Sequence, residues 1–321
     1  MGDCAQGAIK DSASCCRQAF CIGGVSIEIE DPRCDHPADS ASLEAFRIIP
    51  QNPDIAIRVE WIPALAINRA RRLFDSGCTW ELYEERSGFC FDFFVPSCGR
   101  EPYKRLMVDP HFRKAKLQMS ERARNRATGQ LSPLTYPLDE LLVMHRLTQE
   151  AAIELHGCGI VRRDGTANLF VGHSGSGKST MTRLWAMREE VEILSDDRII
   201  VRKHETPQAA EMRMYGTPWH GEAAYASPAS AALTRILILE HGRGNVLTQL
   251  SSSQAVAELF ARSFVPFHRH EYVDTALTFL QGLAGAVPVY RYAFEPDQRA
   301  VDAILNLDQF AQFDLHGELG S

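Results

Sequence analysis

The sequence predicts an α/β protein, a mixed sheet carrying a glycine-rich loop, preceded by a β-rich N-terminal domain. Three observations predict it. From Cys21 to about Met119, apolar residues recur with period two, as strands with one buried face require. Further on, the apolar run Ala167 to Val171 meets a loop rich in glycine, and Met181 to Met187 then reads as a helix. Beyond that helix, strand signals follow one another at hairpin-length connections, which a pure βαβ series does not allow.

A length of 321 residues suggests two domains. Residues 1–20 are small and polar and are expected to be flexible, residues 21–132 form the β-rich domain, and residues 133–321 carry the loop. A hydrophobic fraction of 45% and a charged fraction of 23% are ordinary for a globular chain. The net charge of -7 argues against nucleic acid as a partner, because phosphate backbones want a basic face. No apolar run approaches membrane-spanning length, so no membrane partner is expected. Eight of the nine cysteines lie at or before Cys98, with no C-x-x-C pair. The odd count fits a reducing cytoplasm in which they stay thiols, and the irregular spacing of Cys15, Cys16, Cys21 and Cys34 counts against zinc.

Taken in order, Val25 to Ile29 and Ile55 to Trp61 alternate as strands. Trp80 to Glu85 and Phe89 to Val95 flank Arg86-Ser87-Gly88, a hairpin signal, so this domain is expected to be antiparallel. Its aromatics, among them Phe46, Phe74, Trp80 and Phe91, read as core. Arg100 to Arg126 is basic and reads as a solvated face, with Arg122 to Pro133 a linker. Pro137 opens a helix with Leu141, Leu142 and His145 or Leu147 on its apolar face. Strands are expected at Ile153 to Leu155, Val191 to Leu194, Ile199 to Arg202, Met212 to Tyr215, Ile236 to Leu239, Val246 to Leu250 and Val287 to Tyr292. Helices are expected over Ser253 to Ser263 and Thr275 to Leu283, and from Pro296.

The run Gly172-His173-Ser174-Gly175-Ser176-Gly177-Lys178-Ser179-Thr180 is G-x-x-x-x-G-K-[ST] between strand and helix. Glycines let several backbone N–H groups turn toward one anion, and the helix start adds partial positive charge. Lys178 would reach the outer phosphates and the Ser179 hydroxyl would sit on Mg²⁺, which implies a nucleoside triphosphate ligand. Glu192-Ile193-Leu194-Ser195-Asp196-Asp197-Arg198 is a strand ending in two carboxylates. Alone that is a turn or a cap. Beside a phosphate loop, one acid can help hold Mg²⁺ and its neighbour can take a proton from an attacking hydroxyl. His156-Gly157 and the turn Tyr215-Gly216-Thr217-Pro218-Trp219-His220-Gly221-Glu222 read as structural on their own, but His156 could instead polarise a nearby carboxylate or bind a phosphate oxygen, and the turn could contact base, phosphate or acceptor.

Together, Leu155-His156-Gly157, Gly172 to Ser179 and Leu194-Ser195-Asp196-Asp197-Arg198 resemble the C-terminal domain of bacterial HPr kinase/phosphorylase, over roughly Leu138 to Leu307. The resemblance implies a phosphoenolpyruvate-carboxykinase-like core, ATP and Mg²⁺ as cofactors, and a serine kinase activity. It implies that Lys178 and the loop hold ATP, that Ser179 and Asp197 ligate Mg²⁺, and that Asp196 is the general base, assisted by His156. His173 stands where that family has Asp, and the N-terminal half does not resemble theirs. Gly216-Thr217-Pro218-Trp219-His220-Gly221 is similar to HPr-kinase-related proteins found beside peptide-modification genes, some of which phosphorylate a precursor peptide. The expected acceptor is therefore a peptide or protein, a ribosomal precursor peptide among the candidates, and a homo-oligomer is left open. The rival expectations are a kinase of a small serine-like metabolite and a non-catalytic nucleotide sensor or scaffold.

Overall fold

A computed structural model describes residues 16–33, 41–49, 51–126, 132–188, 190–205 and 210–307. The chain divides into two compact units. The first comprises Met1–Ala19, Ile27–Ala38 and Ile49–Pro133, and the second Phe20–Ser26, Asp39–Ile48 and Leu134–Ser321.

Strands β1 (Cys16–Ile22) and β2 (Val25–Asp31) are divided between the units after Ala19 and before Ile27, and the short helix α1 (Ala41–Glu44) and β3 (Arg47–Ile48) belong to the second; Cys16–Ala19 and Ile27–Asp31 belong to the first unit. The first unit continues with β4 (Ile55–Ile62), β5 (Arg71–Asp75), β6 (Trp80–Glu85), β7 (Gly88–Phe93), β8 (Lys104–Val108), β9 (Lys114–Ser120) and helix α2 (Glu121–Arg126). From β1 the sheet runs β1-β2-β4-β9-β8-β7-β6-β5. Alternation in β2 buries Val25, Ile27 and Ile29 and leaves Ser26, Glu28 and Glu30 partly in solvent.

Six expectations about this half are corrected. The sheet is mixed, because β2 pairs parallel with β4 and β4 with β9, while the rest of the path from β9 to β5 is antiparallel. Cys16 to Phe20 lie in β1, and only residues 1–15 of the expected flexible start fall outside the described residues. The start of the expected linker is helix α2, and residues 127–131 lie outside the described residues. The basic run is not a uniformly solvated face. Lys104 is fully buried, donates from Nζ to Pro133 O at 3.1 Å and lies over the Phe93 and Tyr103 rings. Phe74, expected in the core, sits on the edge strand β5, exposed and stacked on Trp80. Cys16 is disulfide-bonded, against the expectation that every cysteine stays a thiol; Cys15 and Cys34 lie outside the described residues.

Besides α1 and β3, the second unit holds helix α3 (Leu138–Leu147), then β10 (Ala152–Arg162), β11 (Ala167–Val171), helix α4 (Lys178–Arg188), β12 (Val191–Ser195), β13 (Arg198–Glu205) and β14 (Ala210–Tyr215). There follow β15 (Ser230–Ala232), β16 (Arg235–His241), β17 (Val246–Gln249), helix α5 (Ser252–Phe260), β18 (Ser263–Phe264), helix α6 (His270–Ala286) and β19 (Val289–Phe294). A last helical segment covers residues 299–307. The sheet order is β15-β14-β13-β10-β11-β16-β19-β17, with β12 and β18 also paired to β10. β11, β16 and β19 run parallel and the other pairs are antiparallel, so the sheet is mixed.

β11 is buried on both faces, which is why its sequence is a continuous apolar run rather than an alternating one. Leu169 and Val171 point into a core shared with Leu259 of α5 and Phe279, Leu280 and Leu283 of α6. Phe170 points into the opposite core with Met181, Leu184 and Trp185 of α4 and Val301 and Ile304. Two apolar layers thus hold the end of β11, and with it the start of the glycine-rich loop, in one place.

Candidate functional site

β10 is the strand that assembles the site, because both of its neighbours break at the level of His156. Along one edge, Ser195 of β12 lies opposite Gly159 and Arg198 of β13 lies opposite His156, so Asp196 and Asp197 occupy the interruption. Along the other edge, β11 ends with Val171 opposite Gly157, and the chain leaves into the glycine-rich loop. Its place is taken by β18, with Ser263 opposite Leu155. Backbone bonds close both breaks: Gly172 N donates to His156 O at 3.1 Å and Gly157 N donates to Asp197 O at 3.1 Å. The loop and the acids therefore stand two strand spacings apart, roughly 10 Å between backbones, with His156 between them. Gly157 is required here, since a Cβ would lie 2.7 Å from Phe170 O.

The loop has the shape its glycines permit. Gly175 and Gly177 have φ of 80° and 100°, a region that costs other residues steric strain. A Cβ on Gly177 would also lie 2.5 Å from Phe294 Cζ. Lys178, the first residue of α4, is buried and donates from Nζ to Gly172 O at 3.0 Å and His173 O at 3.1 Å. Burial lowers its pKa, partly offset by the charge of Asp197, so the ammonium and that carboxylate share one electrostatic environment. Met181 N makes the first helical bond, to Gly177 O, so the amides of Lys178, Ser179 and Thr180 have no acceptor within the helix. Ser176 Oγ is buried without a hydrogen-bond partner. The His173 side chain is exposed, and its pKa is lowered first by the charge of Arg262, which places that guanidinium near the loop.

The two acids have different surroundings. Asp197 Oδ1 meets His156 Nε2 at 2.9 Å, and Oδ2 accepts from Arg198 Nη1. Burial raises the Asp197 pKa, but the His156 hydrogen bond and the charges of Arg198, His156 and Lys178 outweigh it and leave it below the usual carboxylate value. Asp196 is buried and faces the chain that follows β14. Its Oδ1 accepts from Gly221 N at 3.0 Å and Tyr225 N at 3.3 Å, and its Oδ2 accepts from Ala223 N at 2.9 Å. His156 contacts Asp197, so the geometry does not give Asp196 the histidine partner expected for it.

Arg198, Glu140 and Glu154 belong to the site although sequence reasoning gave them no role. Arg198 Nε donates to Glu140 Oε1 at 2.9 Å and lies 3.5 Å from Glu154 Oε1, while its guanidinium stacks 4.0 Å from the Phe264 ring centroid. Glu154 is fully buried; burial, then the neighbouring Glu140, pushes its pKa well above the ordinary value. Glu140 looked like an acid in the first turn of a helix and Glu154 like a strand residue, and only the fold brings them together.

No protein-family model matches the chain, and a comparison with curated proteins finds no match. Among the described residues, no group of three or more His, Cys, Asp or Glu could hold a metal ion. No helix among them is long and apolar enough to cross a membrane.

Proposed function

We propose that this chain is an ATP- and Mg²⁺-dependent serine kinase of the HPr-kinase-like type, with a phosphoenolpyruvate-carboxykinase-like core, transferring a γ-phosphoryl group to a hydroxyl of a peptide or protein. The observation that carries it is the double break around His156, which gathers a buried lysine, a glycine-rich helix start and a histidine-paired carboxylate.

The residues present suit a triphosphate. Three first-turn amides lack a helical acceptor, Lys178 supplies a buried ammonium, and the orphaned Ser176 hydroxyl gains a partner from a phosphate oxygen. Ser179 would hold Mg²⁺ together with phosphate oxygens and water, with Asp197 kept for the proton. A hard cation of this kind keeps several waters and takes substrate oxygens, so it needs few protein ligands. The metal would neutralise charge on the transferring group.

The base assignment differs from the sequence expectation. Three amides occupy Asp196, so its work is to pin the 221–225 segment, whereas the His156–Asp197 pair is the unit that accepts the acceptor proton. Arg198 and His156 keep Asp197 ionised and oriented. The test is single-turnover transfer from labelled ATP to a mixture of serine peptides. Wild type and Asp196→Asn should transfer, Asp197→Asn should bind ATP without transfer, and Lys178→Ala should lose ATP binding. Undiminished transfer by Asp197→Asn would remove the proposed base, and unchanged ATP affinity in Lys178→Ala would remove the nucleotide site.

A further inference from the structure

A cavity of about 430 Å³ opens beside the twin acids, with Asp197 and Arg198 contributing to its lining. Leu43, Leu134, Tyr136, Pro218 and Trp219 supply its apolar walls. The Gly216-Thr217-Pro218-Trp219-His220-Gly221 turn, which the nucleotide site leaves without a task, thus becomes one side of it.

That side is fixed to the acids by directed bonds. Thr217 Oγ1 donates to Arg198 O at 2.8 Å, Trp219 Nε1 donates to Asp139 Oδ2 at 2.9 Å, and Asp196 binds the amides that follow. A Cβ on Gly216 would lie 2.0 Å from Ser227 O and 2.6 Å from Leu194 O, so the turn meets the end of β12 backbone to backbone. The wall and the carboxylate that would receive the proton are therefore one rigid piece.

The chemistry of the lining discriminates between acceptors. Free serine carries a carboxylate and needs a cation to hold it. Arg198 is the lining residue with a permanent positive charge, and its guanidinium is already shared among Glu140, Asp197 and Glu154. Asp139, which could meet an ammonium, is bonded by Trp219. His220 turns Nδ1 to Gly221 O at 3.0 Å. Leu134, Pro218 and the ring of Trp219 present apolar surface to the cavity, and the exposed Tyr136 ring stands at its edge with most of its surface in water.

We propose that this cavity is the acceptor subsite and that it takes an uncharged, apolar side chain adjacent to the serine of a peptide. The assignment rests on the kinase reading for its meaning, but the binding it requires does not depend on catalysis.

The experiment measures direct binding of blocked, labelled heptapeptides to the full chain with ATP and Mg²⁺ present. One peptide is Gly-Gly-Phe-Ser-Leu-Gly-Gly and the other replaces Phe and Leu with Asp. The apolar peptide should bind about tenfold or more tightly, the scale of burying one or two apolar side chains. Tyr136→Ala should erase that preference and Tyr136→Phe should keep it, with melting temperature as the control for folding. Excess free serine should not compete. Equal affinity for both peptides, a preference that survives Tyr136→Ala, or displacement by free serine overturns the subsite. Transfer from labelled ATP is read in the same samples. Selective binding without transfer leaves the subsite standing and removes the kinase reading.

Discussion

Each unit of the molecule buries an arginine–carboxylate cluster, and the two differ in how completely they are closed. In the first unit, Arg105 clamps Asp92 through Nε at 2.6 Å and Nη2 at 2.7 Å, and Nη2 also donates to Ala66 O. One residue thus engages both oxygens of a side chain that is 1% exposed. In the second unit, Asp197 divides its oxygens between His156 and Arg198, and its side chain remains 28% exposed. Burial raises the pKa of Asp92 despite its arginine, whereas the His156 hydrogen bond and the charges of Arg198 and Lys178 carry that of Asp197 below the usual value. Burial and pairing alone do not mark a working carboxylate. On the proposed reading, what sets Asp197 apart is its histidine partner and its open side.

The largest expected effect separates the clusters by function. Asp197→Asn should reduce phosphoryl transfer by about 10²–10⁴-fold, the range for loss of general base catalysis, with ATP affinity kept. Arg105→Met should leave the chemistry of the second unit alone and act on stability. It leaves a buried acid without its cation, which typically costs about 3–5 kcal/mol and is read from the urea midpoint. If Arg105→Met abolished transfer with the midpoint unchanged, the division between a closed and a working cluster would fail. Arg198→Met gives a finer contrast. It removes one of the charges that lower Asp197, so the acid limb of the kcat–pH profile should move to higher pH. An unmoved limb would mean that Arg198 only packs.

How far the site was legible follows from whether its parts are contiguous. Gly172 to Thr180 and the Asp196-Asp197 pair are local patterns, because a loop that curls its amides inward needs its glycines at fixed spacing. The strands were legible from alternation in β2 and β4 and from short apolar runs in β11 and β12, while of β10 only Ile153 to Leu155 was read. What could not be read are contacts made at a distance. Nothing in the sequence says that β2, β4 and β9 lie parallel, or that Glu140 and Glu154 meet at Arg198. Which of two adjacent acids is tied up by backbone amides is also non-local. It is decided by the amides of Gly221, Ala223 and Tyr225, which come round after β14 and capture Asp196. The basic run containing Lys104 misled for a related reason. Charge suggests solvent, yet a carbonyl and two aromatic faces satisfy that ammonium inside.

The smallest effect near neutral pH tests a buried histidine pair in the second unit. His145 of α3 is buried, shares a hydrogen through Nδ1 with Leu141 O at 2.6 Å, and packs against the His268 ring at 5.3 Å and the edge of Tyr272. Burial, then His268, takes its pKa down to about 3, partly offset by the Leu141 carbonyl. Burial and the charge of Arg269 take His268 down to about 4. Both folded values lie below the ordinary value of 6.5. Below that pH the unfolded chain binds protons that the folded chain refuses. The stability these residues contribute is therefore full above pH 6.5 and is lost as pH falls toward 4 and then 3. Each refused proton costs about 1.4 kcal/mol per pH unit. Urea midpoints measured from pH 7.5 down to 5 should fall, and His145→Gln should flatten the slope by about one proton. A slope unchanged in that variant would show that His145 takes up its proton without unfolding, and that its burial is looser than that of either arginine cluster.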